Sequence, residues 1–209
     1  MLGIHDLFLF IASGLLLNII PGPDAILIMS RSAAQGWRAG SAAALGIGSG
    51  TCVHVIAAAL GLSAVLATSA LAFTVVKWIG AVYLVYMGMT LLLSRKKTTA
   101  PRAAPSALPL RKIYLQGFLT NIFNPKVALF FLAFVPQFIE PHASHKALAF
   151  IVLGAVFNIN GMLWCHFLAL CSAQAGRRWN VPATATHWLN RGIGALFLCF
   201  GIRLALGER

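Results

Sequence analysis

The sequence predicts an all-α membrane protein whose six transmembrane helices form an inverted repeat of two three-helix halves, with the first and fourth helices broken. Three observations lead to this fold class: the apolar composition, the length of six apolar stretches, and an internal repeat. Of the 209 residues, 59% are hydrophobic and only 10% are charged, whereas an ordinary soluble domain carries about 25% charged residues. So few charged side chains cannot cover a soluble surface, which excludes a soluble enzyme domain, and the high apolar content excludes a disordered chain.

Six apolar stretches are each long enough to cross a bilayer, which takes about 20 residues. They are residues 7–29, 40–66, 71–93, 113–139, 147–173 and about 185–206. The first Lys or Arg is Arg31, so the first stretch lacks the basic segment that opens a signal peptide. It is therefore predicted to be the first span.

The basic residues predict the orientation. The chain has 16 Lys and Arg against 4 Asp and Glu, and most of the basic residues fall in three connections on one side. Those residues are Arg31, Arg38, Arg95, Lys96, Lys97, Arg102, Arg111, Lys112, Arg177 and Arg178. Short basic loops stay in the cytoplasm, so both termini are predicted to lie outside a bacterial inner membrane. Contact with anionic lipid headgroups explains the excess of positive charge, so no nucleic-acid partner is expected.

A basic linker and an internal repeat divide the chain into residues 1–93, 94–112 and 113–209. Residues 14–25 align with residues 117–128, and residues 77–86 align with residues 191–200. Each half has three spans, an odd number, so the two halves must cross the membrane in opposite directions. Such inverted repeats are typical of secondary transporters.

Polar and helix-breaking residues interrupt the first and fourth spans at matching positions. These candidate substrate-binding residues are Asn18, Pro21, Gly22, Pro23 and Asp24 in the first span and Asn121, Asn124, Pro125 and Lys126 in the fourth. Proline removes a backbone donor, and in lipid the freed groups must be satisfied by protein or by a water-filled cavity. Paired breaks therefore indicate a midplane substrate site; the alternative is that they are kinks that serve packing alone.

Two charged residues of these breaks lie inside the membrane, where each costs roughly 2.5–3.5 kcal/mol on insertion scales. We expect Asp24 to hold a substrate ammonium group or to carry a proton, with His54 and His166 as further proton carriers. We expect Lys126 to meet a carboxylate; the alternatives are that it pairs with Asp24 or extends to the membrane surface.

Five motifs occur in order along nearly the whole chain. They are Asn18-x-x-Pro21-Gly22-Pro23, the glycine-rich segment 36–46, Gly80-Ala-x-Tyr83-Leu-x-Tyr86-x-Gly88, Gly117-Phe-Leu-x-Asn121-x-x-Asn124-Pro125-Lys126, and Val135-Pro136-Gln137-Phe138. In these motifs the sequence resembles the LysE/RhtB family of amino-acid exporters. The resemblance implies an inner-membrane carrier that expels amino acids, or related compounds, using the proton gradient.

The substrate and two alternative functions stay open at this point. Asp24 is the one acidic residue inside a span, and one carboxylate balances one ammonium group. The sequence therefore predicts a zwitterionic substrate of the threonine, homoserine or branched-chain kind rather than lysine or arginine. One alternative is a metal-ion carrier that uses His54 and His166 with the nearby Cys52 and Cys165. The other is a membrane scaffold that transports nothing.

Catalytic and nucleotide-binding signatures do not occur in a usable context: there is no H-E-x-x-H, G-x-S-x-G, Walker A or G-x-G-x-x-G motif. We therefore expect neither an enzyme nor a primary pump, and no cofactor or metal site. The expected partners are the amino acid, a proton and membrane lipid, with a homo-oligomer left open.

Overall fold

The computed structural model describes residues 2–62, 107–140 and 142–175, together with isolated positions between 74 and 93 and between 191 and 202. Within these residues the chain is helical and forms no strand, and Ile4 and Ile139 make one isolated bridge. The all-α prediction is therefore confirmed for this part. Apart from the isolated positions, the predicted third and sixth spans lie outside the described residues, as does most of the 94–112 linker.

The described helices follow the predicted spans. In chain order they are α1 (Leu7–Ile19), α2 (Pro23–Gln35), α3 (Trp37–Ala57), α4 (Leu110–Ile122), α5 (Pro125–Leu129) and α6 (Lys146–Ala175). A π-helical turn, Ala58–Leu62, extends α3, and the turns Phe130–Phe134 and Val135–Phe138 extend α5. The segments Trp37–Gly61 and Lys146–Gln174 are each long and apolar enough to cross a membrane alone; they are the predicted second and fifth spans.

Both predicted breaks are present. The axis bends by 55° between α1 and α2 and by 46° between α4 and the segment Pro125–Phe138. At 1.5 Å per residue, α1 and α2 are each about 20 Å long, which is less than the hydrocarbon thickness of about 30 Å. Each bent pair therefore has the length of one span. We call residues 18–24, which include the bend and the half-helix ends beside it, the first break, and residues 121–126 the second break.

Two contacts at opposite ends show that the broken spans are antiparallel. At one end, the Glu140 amide donates to the Gly3 carbonyl oxygen at 2.8 Å. Beside it, the His5 amide donates to the Phe138 carbonyl oxygen at 3.1 Å. At the other end, the Gln35 side chain exchanges hydrogen bonds of 2.9 and 3.0 Å with the Leu108 backbone. An inverted repeat requires this opposite direction, but the repeat also involves the third and sixth spans and stays a prediction.

The first connection is tighter than the sequence suggested. Gly36 alone separates α2 from α3, and its φ of 83° is one that only glycine adopts readily. Arg31 and Arg38 are predicted to lie in this connection, but in the structure they lie on helices. Arg31 is buried, and its Nη2 donates to the Gln116 Oε1 at 3.0 Å.

Small residues hold α3 against α4 and α6. A Cβ atom at Gly46 would overlap the Tyr114 carbonyl oxygen, and one at Gly117 would overlap the Ala43 carbonyl oxygen. The backbones of α3 and α4 thus touch directly, a packing mode common between membrane helices. This contact brings the middle of α3 beside the second break.

Candidate functional site

The two breaks face each other, and the amides of the second hold the carboxylate of the first. Asn121 and Asn124 donate through Nδ2 to the same oxygen, Asp24 Oδ2, at 2.8 and 3.0 Å. Both asparagines are almost fully buried, with 1% and 2% of their surface exposed, so their amides depend on protein partners. Asp24 also lies in the first turn of α2, where the helix dipole favours a negative charge.

Lys126 makes the reciprocal contact, from the second break to the first. Its Nζ donates to the carbonyl oxygens of Leu17 and Ile20 at 2.9 and 3.1 Å. Carbonyls at the end of α1 have no partner within the helix, and a cation there is favoured by the dipole. Lys126 therefore caps α1 from the other half of the chain.

This cap changes the expectation for Lys126. Its ammonium group points into the protein rather than to the membrane surface. The charges of Lys126 and Asp24 interact, but within the described part of the chain no direct ion pair joins them. In the structure Lys126 therefore neither forms a direct ion pair with Asp24 nor extends away from the protein.

The remaining residues of the breaks shape the backbone. Pro23 and Pro125 each occupy the first turn of a half-helix, where a missing N–H costs nothing. Asn124 Oδ1 caps α5 by accepting the Lys126 amide at 3.0 Å. A Cβ atom at Gly22 would lie 3.3 Å from Lys126 Nζ, so the glycine leaves room for the lysine. Pro21, like the other two prolines, is exposed.

Two residues of α3 support the buried amide of Asn121. Thr51 Oγ1 lies 3.4 Å from Asn121 Oδ1, and His54 Nε2 lies 3.1 Å from the Asn121 carbonyl oxygen. A carbonyl oxygen can only accept, so His54 Nε2 carries the hydrogen in this contact. The His54 ring stacks on Phe131 at an interplanar angle of 4°. These contacts orient Asn121 so that its Nδ2 points at Asp24.

Helix α6 closes the site on the side of the first break. Asn18 packs on Gly161, where a Cβ atom would lie 3.4 Å from the Asn18 Nδ2. One turn later, Cys165 is close enough to interact electrostatically with Asp24 and Lys126. Sequence reasoning did not place Thr51 or Cys165 at the site. The four-residue spacing of Gly161 and Cys165, one helical face, was the available signal for the latter.

The histidines and cysteines do not gather into a metal site within the described residues: no group of three or more His, Cys, Asp or Glu is placed to hold an ion. His54 is bonded to Asn121, as described above. His166 Nδ1 lies 2.9 Å from the Met162 carbonyl oxygen of its own helix. Nothing in this arrangement favours the metal-carrier alternative.

The chain is similar to known membrane proteins over nearly its whole length. The family model described as LysE type translocator matches residues 15–208. An uncharacterized membrane protein of Vibrio cholerae is 32% identical over 206 residues, which cover 98% of each chain. An uncharacterized membrane protein of Pseudomonas aeruginosa is 30% identical over 214 residues, covering 98% of this chain and 96% of the relative.

A leucine efflux protein of Salmonella typhimurium is 26% identical over 203 residues, covering 97% of this chain and 96% of the relative. The match therefore includes both breaks and their surroundings. No solved structure matches the chain.

Proposed function

Because the chain belongs to the LysE type translocator family, we propose that it exports amino acids across the bacterial inner membrane as a secondary transporter. The leucine efflux relatives, which match this chain along nearly their whole length, support amino acids as the substrate class. The observation that carries the proposal is the pair of interlocked breaks, which gathers Asp24, Lys126 and three asparagines between apolar helices. The protein is accordingly a carrier and not an enzyme.

The charges of the site favour a zwitterionic substrate. Asp24 supplies one negative charge for one ammonium group, and the other acidic residues, Asp6, Glu140 and Glu208, lie at or beyond the ends of the spans. Lys126 would repel a second positive charge by about 4 kcal/mol at 4 Å and an effective dielectric of 20. Threonine, homoserine and branched-chain amino acids fit this balance better than lysine or arginine.

The mechanism is alternating access around the two breaks. The reciprocal contacts, Lys126 to α1 and Asp24 to the asparagines, join the two halves of the chain. We propose that these contacts rearrange as the halves rock, so that the site opens first to the cytoplasm and then to the outside. We propose that the nine residues predicted from the sequence form this site, with Lys126 and the prolines shaping the two breaks.

Proton coupling follows from competition for one carboxylate. A proton from outside that binds Asp24 removes the charge that holds the substrate ammonium group, so the amino acid leaves. Loss of that proton to the cytoplasm restores the charge for the next substrate. Export of one amino acid is thereby tied to import of protons, and His54 lies close enough to affect the carboxylate electrostatically.

Substitution of Asp24 tests the function. Bacterial cells that express the protein are loaded with leucine- or threonine-containing dipeptides, and the free amino acids that appear outside are measured. Asp24→Asn is expected to abolish the export that the wild-type protein adds, while its abundance in the membrane stays near the wild-type level. The matched control is Asp6→Asn at the exposed start of α1, which should leave export intact. Undiminished export by Asp24→Asn would contradict the proposal.

The orientation is tested separately. In a variant that lacks the four native cysteines, single cysteines are introduced at Thr98 and at His142. An impermeant thiol reagent applied to intact cells should label position 142 and not position 98. Labelling at position 98 would reverse the proposed orientation.

A further inference from the structure

Three buried polar side-chain atoms around the first break have no hydrogen-bond partner within the described part of the chain. They are the donors Asn18 Nδ2 and Trp164 Nε1 and the acceptor Asp24 Oδ1. A buried polar group without a partner costs about 1–3 kcal/mol, and such groups in a native protein call for an explanation. The fourth atom of this kind, Ser32 Oγ, lies where α2 packs on Gly40, toward the far end of α2.

The register of α6 along the first span places Trp164 beside the first break. A Cβ atom at Gly14 would lie 3.0 Å from the Phe157 ring, and Gly161 packs on Asn18, four residues further along both helices. The two helices therefore run parallel and in step. Trp164 and Cys165 are the next positions on the same face of α6. They lie at the height of the end of α1, where residues 20–22 connect α1 to α2 and Asp24.

The polar side chains of the second break already have partners. Asp24 Oδ2 accepts from Asn121 and Asn124, and Lys126 Nζ is held by the carbonyls that end α1. Two N–H donors and one carboxylate oxygen are left over. An α-amino acid needs the same set in reverse, because its carboxylate accepts two hydrogen bonds and its ammonium group donates them.

We propose that Asn18 Nδ2 and Trp164 Nε1 bind the carboxylate of the exported amino acid while Asp24 Oδ1 binds its ammonium group, an assignment that rests on the export function proposed above. The indole nitrogen is a donor only, so Trp164 binds the carboxylate and offers nothing to the ammonium group. Trp164 thereby becomes a specificity-determining residue that favours amino acids over simple amines. In this state the carbonyl oxygens of α1 hold Lys126 Nζ, so Lys126 does not bind the substrate carboxylate.

Binding measurements on the purified full-length protein test Trp164. The ligands are leucine, threonine and 3-methylbutylamine, which is leucine without its carboxylate. Trp164→Phe keeps an aromatic ring but removes the N–H, and it should raise the Kd for leucine or threonine by about 10- to 150-fold, the effect of losing one hydrogen bond to a charged group. The Kd for 3-methylbutylamine should stay unchanged. The matched control, Trp37→Phe on the exposed start of α3, should change neither.

The outcomes separate this assignment from the export function. If the wild-type protein binds neither amino acid, the proposed function fails, and the assignment fails with it. If the wild-type protein binds leucine or threonine and Trp164→Phe binds it equally well, the assignment alone is wrong. If Trp164→Phe raises the Kd for the amino acid and for the amine equally, Trp164 has a structural role, and this result would also overturn the assignment.

A second measurement follows the wild-type protein and needs the variant only to assign one signal. With ¹⁵N-labelled tryptophan, the indole N–H signal of Trp164 is identified as the one missing in Trp164→Phe. Leucine or threonine should shift this signal downfield, and 3-methylbutylamine should not. An indole signal that does not respond to an amino acid that the protein binds would overturn the assignment.

Discussion

Replacing Lys126 with methionine separates a structural role of this residue from a role in substrate binding. In the structure its ammonium group satisfies two carbonyl oxygens at the end of α1, at 2.9 and 3.1 Å. Methionine has a similar length but no donor, so Lys126→Met leaves both carbonyls unpaired beside the first break. At about 1–3 kcal/mol for each unpaired group, the variant should lose roughly 2–6 kcal/mol of unfolding free energy.

Thermal unfolding in detergent measures this loss. For a chain of this size, 1 kcal/mol corresponds to about 2–4 °C in Tm, so a decrease of at least roughly 4 °C is expected. The control is Lys112→Met on the exposed first turn of α4, which should change the unfolding free energy by less than about 0.5 kcal/mol. If Lys126→Met keeps the wild-type Tm and loses only transport, then Lys126 binds the substrate, and the capping role is refuted.

Two further substitutions test the packing around the site. Thr51→Val removes the hydroxyl that contacts Asn121, so it should reduce export and lower the unfolding free energy by about 0.5–1.5 kcal/mol. The control, Ser49→Ala on the same helix, should leave export unchanged. Equal export by both variants would show that Asn121 needs no support from α3. Gly117→Ala puts a methyl group into the α3 backbone and should reduce the amount of folded protein measured by size-exclusion chromatography. Gly61→Ala, whose added group meets no atom of the described residues within 4 Å, should express normally. Normal folding of Gly117→Ala would contradict the close approach of the helices.

The breaks could be predicted from the sequence because their causes are local. Proline at position 23 or 125 prevents the helix from continuing wherever it occurs, and a charged residue beside it in an apolar stretch is visible without any structure. The same local signals identified Asp24 and Asn121 as residues of one site. The alignment of the two halves also predicted that the breaks lie at matching positions.

The partners within the site could not be predicted, because they are distant in the chain. Asp24 receives its hydrogen bonds from residues 97 and 100 positions away, and Lys126 reaches carbonyls 109 and 106 positions away. Which donor meets which acceptor depends on how the helices pack, and that is set by glycine contacts. Trp164 was missed for a related reason: in α6 the polar residues Asn158, Asn160 and His166 do not mark one face, so the sequence alone does not show that Trp164 lies toward the first break.

Transport by the purified protein in proteoliposomes most directly tests the claim that Asp24 couples export of a zwitterion to protons. Vesicles are preloaded with labelled leucine, threonine, lysine or arginine, and efflux is measured with and without a pH gradient that is acidic outside. We expect efflux of leucine or threonine to exceed that of lysine and arginine, the gradient to accelerate this efflux, and the acceleration to disappear in Asp24→Asn. Preferred efflux of lysine or arginine, or an acceleration that persists in Asp24→Asn, would contradict the claim.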